Sequence, residues 1–140
     1  MSLATLLLVA LLQGPAPADG PASFQVICHP SVPGTKVSRQ VLSDVFLKRT
    51  GRWGDGTPIA LVERSVTSPL RADFSRRILN LSVAEVQIYW SKAMRDGVRP
   101  PTAKGSDEEV IAFVAGKPGA IGYVAAGIAL PADVKVLEVQ

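Results

Sequence analysis

Apolar residues change their spacing along this chain, and each change marks an element. Residues 24–29 form a short, nearly continuous apolar run ended by Pro30 and Pro33, which predicts a buried strand. Over residues 38–49, Val41, Leu42, Val45 and Phe46 recur at helical spacing behind Ser38, a suitable helix N-cap. Residues 51–58 carry Trp53 among Gly51, Gly54 and Asp55-Gly56, a turn-rich loop, and 59–62 predict a second strand ending near Arg64. Ser68-Pro69 is a strong helix start, with Ser at the cap and Pro at the first helical position; Leu70, Phe74 and Ile78 carry its stripe onward. A further helix capped by Ser82 presents Val83, Val86, Trp90 and Ala93 on one face and stops at Gly97. After the Pro100-Pro101 loop, Ser106 precedes Asp107, Glu108 and Glu109, acids in a first turn where the helix dipole favours them. Val110, Ile111 and Val114 bury that helix, and 120–125 and 134–139 predict the last two strands. Strands alternating with helices imply an α/β domain with helices covering a central sheet. Phe46, Phe74, Trp90 and Met94 fall on helical stripes and are assigned to the core.

The N-terminal stretch has another character. Residues 3–12 are almost entirely apolar, Gly14, Pro15 and Pro17 follow, and Ala16-Pro17-Ala18 supplies a small-x-small pattern. That arrangement predicts a secretory signal peptide over residues 1–18, cleaved after Ala18 or as late as Ala22. The alternative is a short buried helix. The run is too short to cross a bilayer, which takes about 20 residues. Residues 24–140 then form one domain, since about 120 residues suffice for a single core. A hydrophobic content of 47%, mean hydropathy of +0.24 and charged fraction of 19% indicate a folded chain. The single cysteine, Cys28, excludes an internal disulfide and reads as a buried inert thiol. Export without a disulfide suits a bacterial periplasm.

The net charge of +3 is unevenly spread. Residues 36–104 hold thirteen basic and six acidic residues, whereas 105–140 hold two and five. A basic middle suggests an anionic ligand or surface, against the plainer reading of a solvated face. Nucleic acid is not expected, because no dense Lys/Arg cluster is interleaved with aromatics.

No nucleophile–base pair can be assembled, and no catalytic residues are assigned. His29 adjoins Cys28, and neighbours on a strand point to opposite faces. With one histidine and one cysteine, no transition-metal site is expected, and nothing in the chain calls for a cofactor. The stretch from Val62 to Leu70 is richer. It runs from a strand's C-terminal end into a helix N-terminus through Arg64, Ser65, Thr67 and Ser68. Helix N-termini offer unpaired N–H groups to anions, and ligands of open α/β sheets gather at the carboxyl ends of strands. Arg64 would add a charge-assisted contact and Arg71, one turn in, would reinforce the field. The alternative is that Ser68 only caps its helix while Arg64 pairs with Glu63 or Asp73.

Three motifs occur in one order: Leu42-Ser43-Asp44-Val45-Phe46-Leu47-Lys48 followed by Trp53, then Arg64-Ser65 through Phe74, then Gly119-Ala120-Ile121-Gly122-Tyr123-Val124. On these the chain resembles one lobe of the type II periplasmic solute-binding proteins, in particular the phosphate-binding proteins of bacterial ABC phosphate uptake systems. The first is similar to that family's LxxIFLGK…W, the second to its RSDGSGT…F phosphate loop, and the third to its GAIGYV strand. The likeness covers residues 24–139. It implies a periplasmic binding-protein lobe with a mixed sheet, phosphate or a similar oxyanion as ligand, and Arg64, Ser65, Thr67, Ser68 and Arg71 as site residues. Binding would involve no covalent chemistry and no cofactor. The departures are Pro69-Leu70, which stand where the family has Gly-Thr, and the missing second lobe. Pro69 has no N–H to offer an anion. A homodimer would supply the second wall, and an ABC transporter or another envelope protein is an expected partner. A competing expectation is a protein–protein contact module of the cell envelope with a degenerate solute site.

Overall fold

The computed structural model describes residues 20–140; the signal peptide expected over 1–18 lies outside them. The described residues form six strands and four helices in the order β1 (Phe24–Cys28), β2 (Lys36–Val37), α1 (Arg39–Phe46), β3 (Ala60–Arg64), α2 (Pro69–Phe74), α3 (Val83–Arg95), β4 (Thr102–Lys104), α4 (Asp107–Ala115), β5 (Ala120–Ala125) and β6 (Lys135–Val139). Helix α2 runs directly into a π turn over Ser75–Leu79. The strands form one mixed sheet in the order β2-β6-β1-β5-β3-β4. Strand β1 is antiparallel to β5 and β6, while β3 is parallel to β4 and β5. β2 and β4, which the hydrophobic pattern does not announce, are edge strands of two and three residues.

Alternation along each strand divides the side chains between two cores. On one face Ile27, Val62, Ala120 and Val124 meet Val110 and Val114 of α4. Gly122 lets that helix and its neighbouring strand close in, because a Cβ there would stand 2.5 Å from Val62 Cγ1 and 3.0 Å from Val110 Cγ1. On the other face Phe24, Phe46, Phe74 and Tyr123 gather under α1, α2 and α3. The Phe74 and Tyr123 rings stack at 4.1 Å between centroids and 4° between planes.

Local chemistry sets the helix ends. Ser82 caps α3 in a capping box, accepting from the Glu85 N–H while the Glu85 carboxylate accepts from the Ser82 N–H. The same helix ends in a Schellman turn: Gly97 at φ 81° donates to the Met94 carbonyl, and Val98 donates to the Ala93 carbonyl. That reversal folds Val98 onto the core. Met94, expected inside, is 53% exposed, and the contacts at this end of the helix fall instead to Ala93 and, beyond the reversal, Val98. Phe46, Phe74 and Trp90 are buried as expected, as is Cys28, whose thiol burial pushes up to about 11.

Ser68 occupies the N-cap of α2 without making a side-chain cap bond. Pro69 has no N–H, and the Arg71 N–H already donates to the Ser68 carbonyl at 3.0 Å. Ser82→Ala is therefore expected to cost about 1 kcal/mol in urea unfolding. Ser68→Ala should cost a few tenths at most, on the order of an ordinary surface change. Equal losses would contradict this assignment.

Candidate functional site

β3, β4 and β5 are mutually parallel in order, so their carboxyl ends share one edge of the sheet. Helix α2 starts after β3 and α4 after β4, which brings two helix N-termini to that edge. The loop over 65–68 leads from β3 into α2. It is a tight turn, with the Ser65 N–H donating to the Lys104 carbonyl at 3.1 Å and the Ser68 N–H to the Ser65 carbonyl at 2.9 Å. Ser65 and Thr67 place their hydroxyl oxygens 3.1 Å apart. Ser65 and Ser68 are half-buried and Thr67 is exposed.

Arg64, at the end of β3, is 7% exposed. Its guanidinium crosses to α4, where Nη1 donates to Asp107 Oδ1 and Nη2 to the Gly105 carbonyl at 3.5 Å. Asp107 Oδ1 also accepts from the Ala125 N–H at 3.2 Å, so one carboxylate joins the ends of β3 and β5 to the start of α4. The Nε–H of Arg64 is buried and has no partner among the described residues. The pairing with Glu63 or Asp73 weighed from sequence does not occur. Glu63 adjoins Arg64 on the strand and points to the other face, and Asp73 is held by Arg77 at 2.7 Å and by Ser23.

Arg71 lies beneath the loop, 6% exposed, with Nη1 donating to the Arg64 carbonyl at 2.9 Å. The structure thus brings Arg64, Ser65, Thr67 and Ser68 to one edge and sets Arg71 behind them. Glu63, 4% exposed, accepts from the Tyr123 hydroxyl and, at 3.2 Å, from the N–H of Arg64, the residue whose carbonyl Arg71 holds. Burial pushes the Glu63 carboxyl up, opposed by Arg71 and then by the Tyr123 bond. Burial, followed by the Glu63 charge, raises the Tyr123 hydroxyl as well. Sequence reasoning weighed Glu63 only as a partner for Arg64, missing its bond with Tyr123, and it missed Asp107 as the partner of Arg64. A signal for Glu63 existed, since it holds the inward position two residues beyond Leu61. No such signal pointed to Asp107, which reads as one of three first-turn acids.

The arrangement offers hydroxyl and guanidinium donors without a nucleophile–base pair. Among the described residues, no group of three or more His, Cys, Asp or Glu side chains is placed to hold a metal ion. Nor is any helix among them long and apolar enough to cross a membrane.

No protein-family model and no curated protein matches the sequence. Solved structures do match in fold. An ABC-type phosphate transport receptor from Vibrio cholerae superposes with a TM-score of 0.66 at 17% identity, over 84% of this chain and 46% of that one. PstS from Borrelia burgdorferi gives 0.67 at 18% identity, over 84% of this chain and 47% of its own. This chain therefore spans slightly less than half the length of the receptors it matches. The shared property at such identities is the arrangement of strands and helices: the chain has a periplasmic-binding-protein-like α/β fold.

Proposed function

We propose that the chain is a periplasmic, non-enzymatic solute-binding module that takes phosphate or a similar oxyanion at the 65–68 loop. One observation carries the reading: Arg64, the last residue of β3 before the loop, is a buried arginine whose Nε–H has no partner among the described residues. A buried guanidinium N–H without an acceptor calls for a bound group or a water. Ser65, Thr67 and Ser68 supply hydroxyls at the same edge, and Ser68 is not committed to capping. Arg64 would give charge and orientation, the α2 N-terminus and the hydroxyls hydrogen bonds, and Arg71 a positive field from behind. The fold shared with phosphate receptors supports this ligand class and association with an ABC transporter.

Calorimetry on the mature protein with phosphate, sulfate and a neutral solute tests it. Phosphate is expected to bind, with loss of about tenfold or more in Arg64→Ala, as for a charge-assisted bond worth about 1.5–3 kcal/mol. Ser68→Ala should weaken binding several-fold at nearly unchanged stability, which separates a binding role from misfolding. No heat at millimolar phosphate, or an unchanged response in both variants, overturns the reading.

A second reading has its own support. Pro69 removes an N–H donor from the loop, and Asp107 already neutralises Arg64. Both features suit an envelope contact module whose solute site has degenerated. A silent phosphate titration together with concentration-dependent association in sedimentation would favour it, and the association would also reveal a homodimer.

A further inference from the structure

We propose that Glu63 and Arg71 form a proton-sensitive brace beneath the 65–68 loop. With Glu63 ionised, Arg71 stays inward on the Arg64 carbonyl; with Glu63 protonated, Arg71 turns outward and adds its cation to the loop. The consequence for binding rests on the oxyanion reading above, whereas the brace itself does not.

The geometry behind it is specific. Arg71 belongs to the first turn of α2, immediately after the loop, and its Nη1 clamps the last carbonyl of β3, where the loop begins. Arg71 is therefore a positioning residue for the loop's entry. A guanidinium that is 6% exposed needs an anion nearby, because burying an uncompensated charge is costly. Its bonded partner is a neutral carbonyl, and the carboxyl that acts on it is that of Glu63. The two are not in ion-pair contact among the described residues, so the attraction is a field across the strand end and not a locked bridge.

The groups facing Glu63 can be named element by element. From β5 comes the Tyr123 hydroxyl, from α2 the Arg71 guanidinium, and from β3 itself only the Arg64 N–H. The Arg64 guanidinium and Asp107 lie across the sheet. Burial already pushes the Glu63 carboxyl above its ordinary 4.5. Proton uptake by this carboxyl is therefore favoured at a higher pH than for a solvated glutamate. Once Glu63 is neutral, the inward guanidinium has lost its counter-charge, and solvent beside the loop becomes its better environment.

Because the folded carboxyl is raised, the folded protein holds this proton more tightly than the unfolded chain. The resulting stabilisation is complete below the unfolded value and is lost as pH rises through the folded one. Glu63→Gln keeps an acceptor oxygen for Tyr123 and Arg64 but does not ionise. Its stability relative to wild type should therefore improve as pH rises through that window.

The decisive measurement is an amide NMR titration of residues 65–68 in buffer free of phosphate and sulfate, from pH 4 to 8. Wild type should show a step in these shifts with a midpoint above 4.5. Glu63→Gln should show no step and hold the acid-form shifts throughout. Arg71→Gln should also lose the loop step while the Glu63 carboxyl itself still titrates in side-chain spectra. A step that persists in either variant, or is absent from wild type, overturns the brace. Sulfate, which keeps its charge over this range, reports the binding arm: acidification through the step should tighten it about 2- to 5-fold in wild type alone, the range of a solvent-facing charge contact. If sulfate and phosphate bind at no pH while the step is present, the anion reading falls and the brace stands. If the anions bind and the step is missing, the brace alone falls.

Discussion

Gly119→Ala is expected to remove about 3 kcal/mol or more of folding stability. Gly119 sits at φ +78°, where a side chain costs about 1–2 kcal/mol. A Cβ would also lie 2.2 Å from the Pro58 carbonyl oxygen and 3.1 Å from Thr57 Cγ2. The nearer atom is backbone and cannot swing aside, so overpacking adds about 1–3 kcal/mol. The surrounding bonds depend on this approach. Trp53 Nε1–H donates to the Gly119 carbonyl at 2.9 Å, the Ala60 N–H donates to it at 3.2 Å, and the Gly119 N–H donates to Ser31 Oγ at 3.0 Å. Urea unfolding measures the loss, with Gly127→Ala as control. Gly127 has φ +80° but open space around it, so only the backbone penalty of about 1–2 kcal/mol applies. Similar losses in the two variants would show that the contact with Pro58 is not what demands glycine. The wild-type margin for a domain of this size is about 5–15 kcal/mol, so the Gly119 variant is expected to lose much of it.

Phe74→Ala carries the other large effect, about 3–5 kcal/mol. The ring is fully buried and touches three others: Tyr123 at 4.1 Å, Phe46 at 4.6 Å and Phe24 at 5.2 Å between centroids. It joins α2 to α1 and to strands β1 and β5, so truncation leaves a cavity bounded by both sheet and helices. Met94→Ala, at the exposed end of α3, should change stability by less than about 0.5 kcal/mol. Calorimetric or denaturant unfolding of the pair tests the core assignment, and a loss at Met94 comparable to that at Phe74 would refute it.

These two positions also explain what the motifs do in this chain. The Trp53 turn and the Gly119-Ala120-Ile121-Gly122-Tyr123-Val124 strand meet through the Trp53–Gly119 bond. Gly122 admits α4, and Tyr123 stacks on Phe74. They are requirements of packing, which is why they point to a fold more securely than to a ligand.

The helices and the longer strands were readable because burial imposes a period on the sequence. Residues 24–29 and 120–125 became β1 and β5, and the stripe behind Ser82 became α3, capping box included. β2 and β4 were not readable. They are mostly exposed edge strands of two and three residues, held by backbone bonds to β6 and β3 and not by an apolar pattern. The candidate site divides in the same way. Arg64, Ser65, Thr67 and Ser68 were legible as a polar stretch between a strand and a helix start, since that signal is local.

What the sequence alone determined was therefore everything set by neighbours a few residues apart: the α/β alternation, the cap at Ser82, the stop at Gly97, and the hydroxyl-rich loop after β3. What only the tertiary structure decided was how the charges in that region are partnered. Asp107 reaches Arg64 from 43 residues away, and Tyr123 reaches Glu63 from 60. Those distances are spanned by the parallel pairing of β3 with β5 and the placement of α4 on one face. A side chain's period reports whether it is buried. Which opposite charge awaits it there depends on strand order and register, and those are properties of the assembled sheet.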